Sequence, residues 1–247
     1  ADLSNTEPML RLLQGDVGSG KTIVAVFSLI QAVENDFQTA VMSPTEILAR
    51  QHLQNFTEYL NPLNIQIAYL SGSQNTHERK EQLELIESGK AKVIIGTHAL
   101  FQESVYFDNL SLVIIDEQHK FGVHQRLSLS QKAKKTPHQL VMTATPIPRS
   151  LTMSAYADLD TSVIDELPPG RQPVETIALS NSRRDELIEK IRKISDEGRQ
   201  IYWVCTLIEE SDALRAESAE KTFNYLSSNL EDLKVVMIHG RLTKPEK

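Results

Sequence analysis

The sequence predicts an α/β fold: a parallel sheet covered by helices on both faces, followed by part of a second unit built the same way. Three observations carry that prediction. Short, continuously apolar runs alternate with longer amphipathic ones over 9–142, the pattern of strands buried on both faces and joined by helices. The first apolar run leads into a glycine loop and then a helical stretch. A cluster of prolines and glycine at 165–173 breaks the alternation before it resumes, because such residues continue neither helix nor sheet.

In order, 9–13 (MLRLL) reads as a buried strand and 23–30 (IVAVFSLI) as a helix. The run 39–42 is a strand that stops at Ser43-Pro44. A helix spans 46–60, with Ile47, Leu48, Gln51, His52, Asn55 and Phe56 at mixed helical spacing. A strand at 65–70, a charged helix at 76–88 and a strand at 92–96 follow. The run 112–115 (LVII) is the most buried-looking strand, and a helix over 123–134 precedes a strand at 139–142. Gly15, Pro44, Gly72, Gly96, Asp116 and Thr143 then fall at strand ends, so the candidate chemistry gathers on one edge of one sheet, where such folds bind ligands. Beyond the break, strands are expected at 174–178, 200–204 and 234–238, with helices at 183–197 and 213–230. Three strands are few for a parallel sheet, so the second unit reads as truncated. The division is 1–164, a linker at 165–173, and 174–247.

Composition narrows the class. With 247 residues and 40% hydrophobic side chains the chain can bury a core. The acidic start carries no signal peptide, and no run approaches the roughly 20 apolar residues of a membrane helix. Cys205 is the lone cysteine, so no internal disulfide forms, which suits a reducing cytoplasm. With no CxxC pair and scattered histidines, no structural zinc is expected. The net charge of −7 argues against general nucleic-acid binding. Oligomeric state is not readable from these features.

Gly15-Asp16-Val17-Gly18-Ser19-Gly20-Lys21-Thr22 fits the phosphate-loop pattern G-x-x-x-x-G-K-[ST] between a strand and a helix. Glycines let backbone N–H groups close on phosphate oxygens, and the helix N-terminus adds positive potential. Lys21 would reach the β- and γ-phosphates of ATP, and the Thr22 hydroxyl would hold Mg²⁺. Asp116, at the end of the buried strand, is the expected second Mg²⁺ partner. Glu117 would orient and deprotonate the attacking water. Gln118 and His119 follow; His119 reads as a relay rather than a base. Lys21, Asp116, Glu117 and His119 are thus the candidate catalytic group. Thr143-Ala144-Thr145 ends another strand, and its hydroxyls can bridge motifs.

In this order the segments GDVGSGKT, SPTE (43–46), SGS (71–73), GTHAL (96–100), DEQH (116–119) and TATPIPR (143–149) resemble the two-lobed helicases and translocases of superfamily two. RLLQGDVGSGKT, DEQHKFGVHQR, TATPIPRSL and AYADLDTSVIDELPPGR resemble more specifically the RecG family of bacterial branch-migration enzymes. Transcription-repair coupling translocases share the general set but differ from DEQH and DELPPGR.

The resemblance implies a RecA-like lobe with an ATP site at 15–22 and 116–119, followed by part of a second RecA-like lobe. It implies that Pro44, Thr45, Glu46, Ser71, Gly72, Thr97 and His98 line the path of a DNA backbone, and that Thr143, Ala144 and Thr145 couple nucleotide state to lobe movement. Gly240 and Arg241 would face DNA from the second lobe. The partner implied is branched double-stranded DNA. The family's branch-gripping domain, adenine-reading glutamine and arginine fingers have no match in this sequence, so the chain is expected to be a central piece that binds nucleotide and hydrolyses it slowly. The rival readings are a transcription-coupled repair motor, a nucleotide-gated binding module without turnover, and a kinase or GTPase. The last lacks the guanine-reading N-K-x-D.

Overall fold

The computed structural model describes residues 2–117, 132–145, 159–168, 170–172, 174–205 and 212–238, with the side chains of 212–218 left out. The chain divides into two compact units, Ala1–Gln172 and Pro173–Lys247.

The first unit is a seven-stranded sheet. Its strands are β1 (Leu10–Gly15), β2 (Gln38–Met42), β3 (Ile67–Leu70), β4 (Val93–Gly96), β5 (Leu110–Asp116), β6 (His138–Thr143) and β7 (Asp160–Ile164). They lie in the order β3-β4-β2-β5-β6-β1-β7, and every pairing is parallel. Helices α1 (Lys21–Glu34), α2 (Glu46–Leu60) and α3 (Thr76–Glu87) connect them.

Alternate strand residues enter two cores, as the two-residue period of a strand requires. Leu12, Ala40, Met42, Ile94, Val113, Ile115 and Val141 pack on one face with Ile86 of α3. Leu13, Val41, Val93, Ile95, Leu112, Ile114, Leu140 and Met142 pack on the other with Ala25, Val26 and Leu29 of α1 and Phe56 and Leu60 of α2. Both faces are therefore dry, which explains why the strands read as unbroken apolar runs. The fully buried Gln38 is satisfied: Nε2 donates to the Ile86 and Ala91 carbonyls at 2.8 and 2.9 Å, and Oε1 accepts from the Asn109 amide.

Strand β7 was not among the expected strands. Its residues are mostly polar and half-exposed, as suits an edge, and its ladder to β1 forms it: Leu12 pairs with Thr161 and Gly15 with Ile164. The helix expected at 123–134 falls largely outside the described residues, and 132–134 form turn and bend.

The second unit contains α4 (Arg184–Asp196) and α5 (Asp212–Asn229). Ile188, Ile191, Leu226 and Leu230 form its small core, with Trp203 and Tyr225 against them. Arg184 stacks its guanidinium over both rings, 5.3 and 5.0 Å from their centroids. The strands expected at 174–178, 200–204 and 234–238 do not form among the described residues. Trp203 and Val235 pack against the small core, but most of the other apolar side chains lie open to solvent, with Tyr202 85% and Val204 77% exposed. β-structure requires a hydrogen-bonded neighbour, and here none pairs with them among the described residues.

Candidate nucleotide site

Parallel register brings the carboxyl ends of the strands to one edge. Leu70 aligns with Gly96, Gly96 with Met42, and Met42 with Ile115. Asp116 aligns with Met142, and Thr143 with Gln14. The glycine loop therefore opens between β6 and β7, with β6 standing between it and the end of β5.

Within the loop, Gly18 and Gly20 take φ of 80° and 99°, a region open to glycine and costly for other residues. Gly20 caps α1 without a side chain, and the Ile23 amide turns back to the Gly20 carbonyl, so the amides at the very start of the helix are open to a ligand. Lys21 folds back and donates from Nζ to the carbonyls of Gly15 and Asp16, both at 2.8 Å. The Ser19 hydroxyl is buried without a partner among the described residues, and a Cβ on Gly15 would collide with it. A loop that holds a cation, packs closely at Gly15 and keeps a buried hydroxyl without a partner among the described residues suits an oxyanion.

Two acids lie at the end of β5, across β6 from the loop. Asp116, at the end of β5, accepts from His52 Nε2 at 2.8 Å. Glu117 is held in the left-handed region at φ 51°, an uncommon conformation that clusters at functional sites. Its Oε2 accepts from Thr143 Oγ1 at 3.2 Å, and its Oε1 from the Ala144 amide at 3.3 Å. Thr143 Oγ1 also accepts from the Thr145 amide. The expected catalytic acid and the expected coupling triplet are thus one hydrogen-bonded network. Gln118 and His119 lie outside the described residues, as do Gly240 and Arg241.

The donor set fits Mg²⁺·nucleotide. Among the described residues no cluster of three or more His, Cys, Asp or Glu could hold a metal by itself. Mg²⁺ is bound through one or two carboxylates together with substrate phosphates and water, a role open to Asp116 and the Thr22 hydroxyl.

Sequence reasoning passed over Arg171. Its Nη1 lies 2.6 Å from Asp16 Oδ2 and donates to the Val17 carbonyl. The Val17 amide and this guanidinium hold the Asp16 carboxyl below its ordinary pKa. A Cβ on Gly18 would come into van der Waals contact with Pro168. Pro168 and Arg171 therefore lie against the phosphate loop; nothing in the local sequence signals it, because the Arg171–Val17 pairing spans more than 150 positions.

The loops expected to carry DNA converge in part. Thr45 caps α2 by accepting from the Leu48 amide. Glu46 accepts from the amide and hydroxyl of Ser73 at 3.1 and 2.6 Å. Gly72 faces both Glu46 and His98. Ser71 and Thr97, by contrast, are buried. The Ser71 amide donates to Gln74 and the Thr97 amide to the Leu70 carbonyl, so these two hold the loops in shape.

Residues 4–154 match the family model described as DEAD/DEAH box helicase. The chain belongs to the DEAD/DEAH box helicase family. Within it the chain groups with the RecG helicases. It is 54% identical, over its whole length, to the ATP-dependent DNA helicase RecG of Escherichia coli O157:H7, and 47% identical to the protein of the same name from Aquifex aeolicus. It spans about a third of those relatives' length, 36% and 31% respectively. A solved structure of RecG bound to a three-way DNA junction superposes with a TM-score of 0.74 at 42% identity, covering 93% of this chain and 30% of that one. Among the described residues no helix of this helicase segment is long and apolar enough to cross a membrane.

Proposed function

We propose that this segment is the ATP-driven motor of a cytoplasmic DNA translocase that remodels branched duplex DNA, with 1–164 as the first RecA-like lobe, 165–173 as the linker and 174–247 as part of the second. The observation that carries the reading is the network joining Glu117 to Thr143 and Ala144 beside the Lys21 cradle. Lys21 leaves the loop carbonyls for the β- and γ-phosphates. Asp116 and Thr22 hold Mg²⁺, which when bound screens phosphate charge. Glu117 accepts a proton from the attacking water, and its change of partner reaches 143–145 directly. Gly72 and His98 form part of the track for a DNA backbone, with Glu46 holding the Ser73 loop in place beside them; small and polar groups there suit phosphate contact. Among the described residues the guanidinium bonded to the loop is that of Arg171, which Asp16 already engages. The segment alone therefore binds nucleotide and turns it over slowly.

The test is nucleotide binding and ATP turnover by the 247-residue chain, with and without forked DNA, beside Lys21→Ala. Binding that the substitution weakens about 10- to 100-fold, the worth of a charged hydrogen bond, with little turnover, is the expected result. DNA-stimulated turnover abolished by the substitution overturns the slow-turnover reading. Binding unaffected by the substitution overturns the site itself.

A further inference from the structure

His52 is a histidine in the apolar stripe of α2, between Ala49 and Phe56, and it is 8% exposed. Its Nε2 lies 2.8 Å from Asp116 Oδ2, with the two side chains 10% and 14% exposed. An ionised carboxylate only accepts, so Nε2 carries the proton and donates it. Nδ1 is then a bare acceptor, buried without a partner among the described residues. A leucine at this position would fill the same stripe without burying an unmet polar atom. Burial of an imidazole and a carboxylate together is a poor device for stability alone.

The geometry supplies another use. The ring packs against Phe56, centroids 5.4 Å apart, and Phe56 is fully buried. The imidazole is therefore fixed, and it fixes the rotation of the carboxylate it bonds. It occupies Oδ2 and leaves Oδ1 for a cation. The two adjacent acids thus have separate holders: Thr143 and Ala144 hold Glu117, and His52 holds Asp116. His52 also rides on the helix that Thr45 caps and that Glu46 ties to Ser73. A rigid helix transmits a displacement of its N-terminal loop to any group it carries.

We propose that His52 is a positioning residue that orients Asp116 for Mg²⁺ and links that carboxylate, through α2, to the loops at 44–46 and 71–73. The proposal rests on the nucleotide reading of the site. Two substitutions separate its parts. His52→Phe keeps a ring against Phe56 and removes the donor. His52→Gln restores a donor.

The measurement is binding of a fluorescent, slowly hydrolysed ATP analogue to this chain as Mg²⁺ is titrated, with thermal melting of each variant alongside. His52→Phe is expected to raise the Mg²⁺ midpoint about tenfold, matching the loss of one charged hydrogen bond, with Mg²⁺-free binding unchanged. His52→Gln is expected to recover most of that shift. An unchanged midpoint in a His52→Phe protein that melts like the parent overturns the proposal and leaves the nucleotide site intact. Absence of Mg²⁺-dependent binding in the parent chain overturns the nucleotide reading and this one together. Should His52→Phe fail to fold, the His52 Nε2–H resonance of the unsubstituted chain decides. It shifts when Mg²⁺ joins the bound analogue if the proposal holds, and its staying in place overturns it.

Discussion

Apolar runs of similar length meet opposite fates in the two units. In the first, β2 and β4 are buried at every position. In the second, the runs at 200–204 and 234–238 stay unpaired and mostly exposed among the described residues. Composition does not separate them, since QTAVM and QIYWV are both good strand sequences. Neighbours separate them. β2 lies between β4 and β5, with α1 and α2 above one face and α3 above the other. A strand is a relation between segments, and a run with nothing to bond remains an extended chain.

Side-chain truncation breaks the comparison most sharply. Phe56→Ala empties a fully buried site in the first unit and should cost about 3–5 kcal/mol. Val204→Ala, at a site 77% exposed, should stay within about 0.5 kcal/mol. Urea unfolding of each variant measures both, and equal losses would mean that 200–204 is packed after all. Added bulk is the next test. A Cβ on Gly96 meets the Leu70 carbonyl oxygen and the Leu100 side chain, so Gly96→Ala should cost about 1–3 kcal/mol through displacement of β3 from β4. Gly198 has open space but a φ of 77°, so Gly198→Ala should cost about 1 kcal/mol through backbone conformation alone. Hydrogen exchange distinguishes the two: the first loosens β3 and β4 amides, the second leaves every ladder as protected as before.

Acid gives the smallest effect. His138 Nδ1 accepts from the Met9 amide at 2.9 Å, a bond that only an unprotonated nitrogen can make. Burial holds the imidazole below its ordinary pKa of 6.5. Above 6.5 folded and unfolded chains are both neutral there, and the contact contributes in full. As pH falls through 6.5 toward the lower folded value, the unfolded chain takes the proton first and stability is lost. His138→Gln keeps an acceptor without the titration, so the melting temperature of the variant should fall less between pH 7 and pH 5.5. Identical slopes would remove His138 from the account.

Much of the site was legible because its signals are local. Gly15–Thr22 needs a fixed spacing of glycines, a lysine and a hydroxyl, and every part lies within one turn of chain. Asp116 and Glu117 were legible because an acid after a buried run stands out. Arg171 and His52 were not. Each acts on a residue far away in sequence, Asp16 in one case and Asp116 in the other. A clue to His52 was present all the same: a polar side chain at the spacing of Ala49, Phe56 and Leu60 on the buried face of α2. That Ser71 and Thr97 are buried was not legible either, because hydroxyls in loops read alike whether they face solvent or the sheet.

By itself the sequence determined the alternation of strands and helices in the first unit, the phosphate loop and its helix, and the acids at the end of β5, because hydrophobic period and loop chemistry act over a few residues. Tertiary structure alone decided that polar 160–164 becomes an edge strand while apolar 200–204 does not. It also decided that His52 and Arg171 reach the two acids they hold. Pairing and approach are settled by what lies across the sheet, and that partner is never adjacent in the chain.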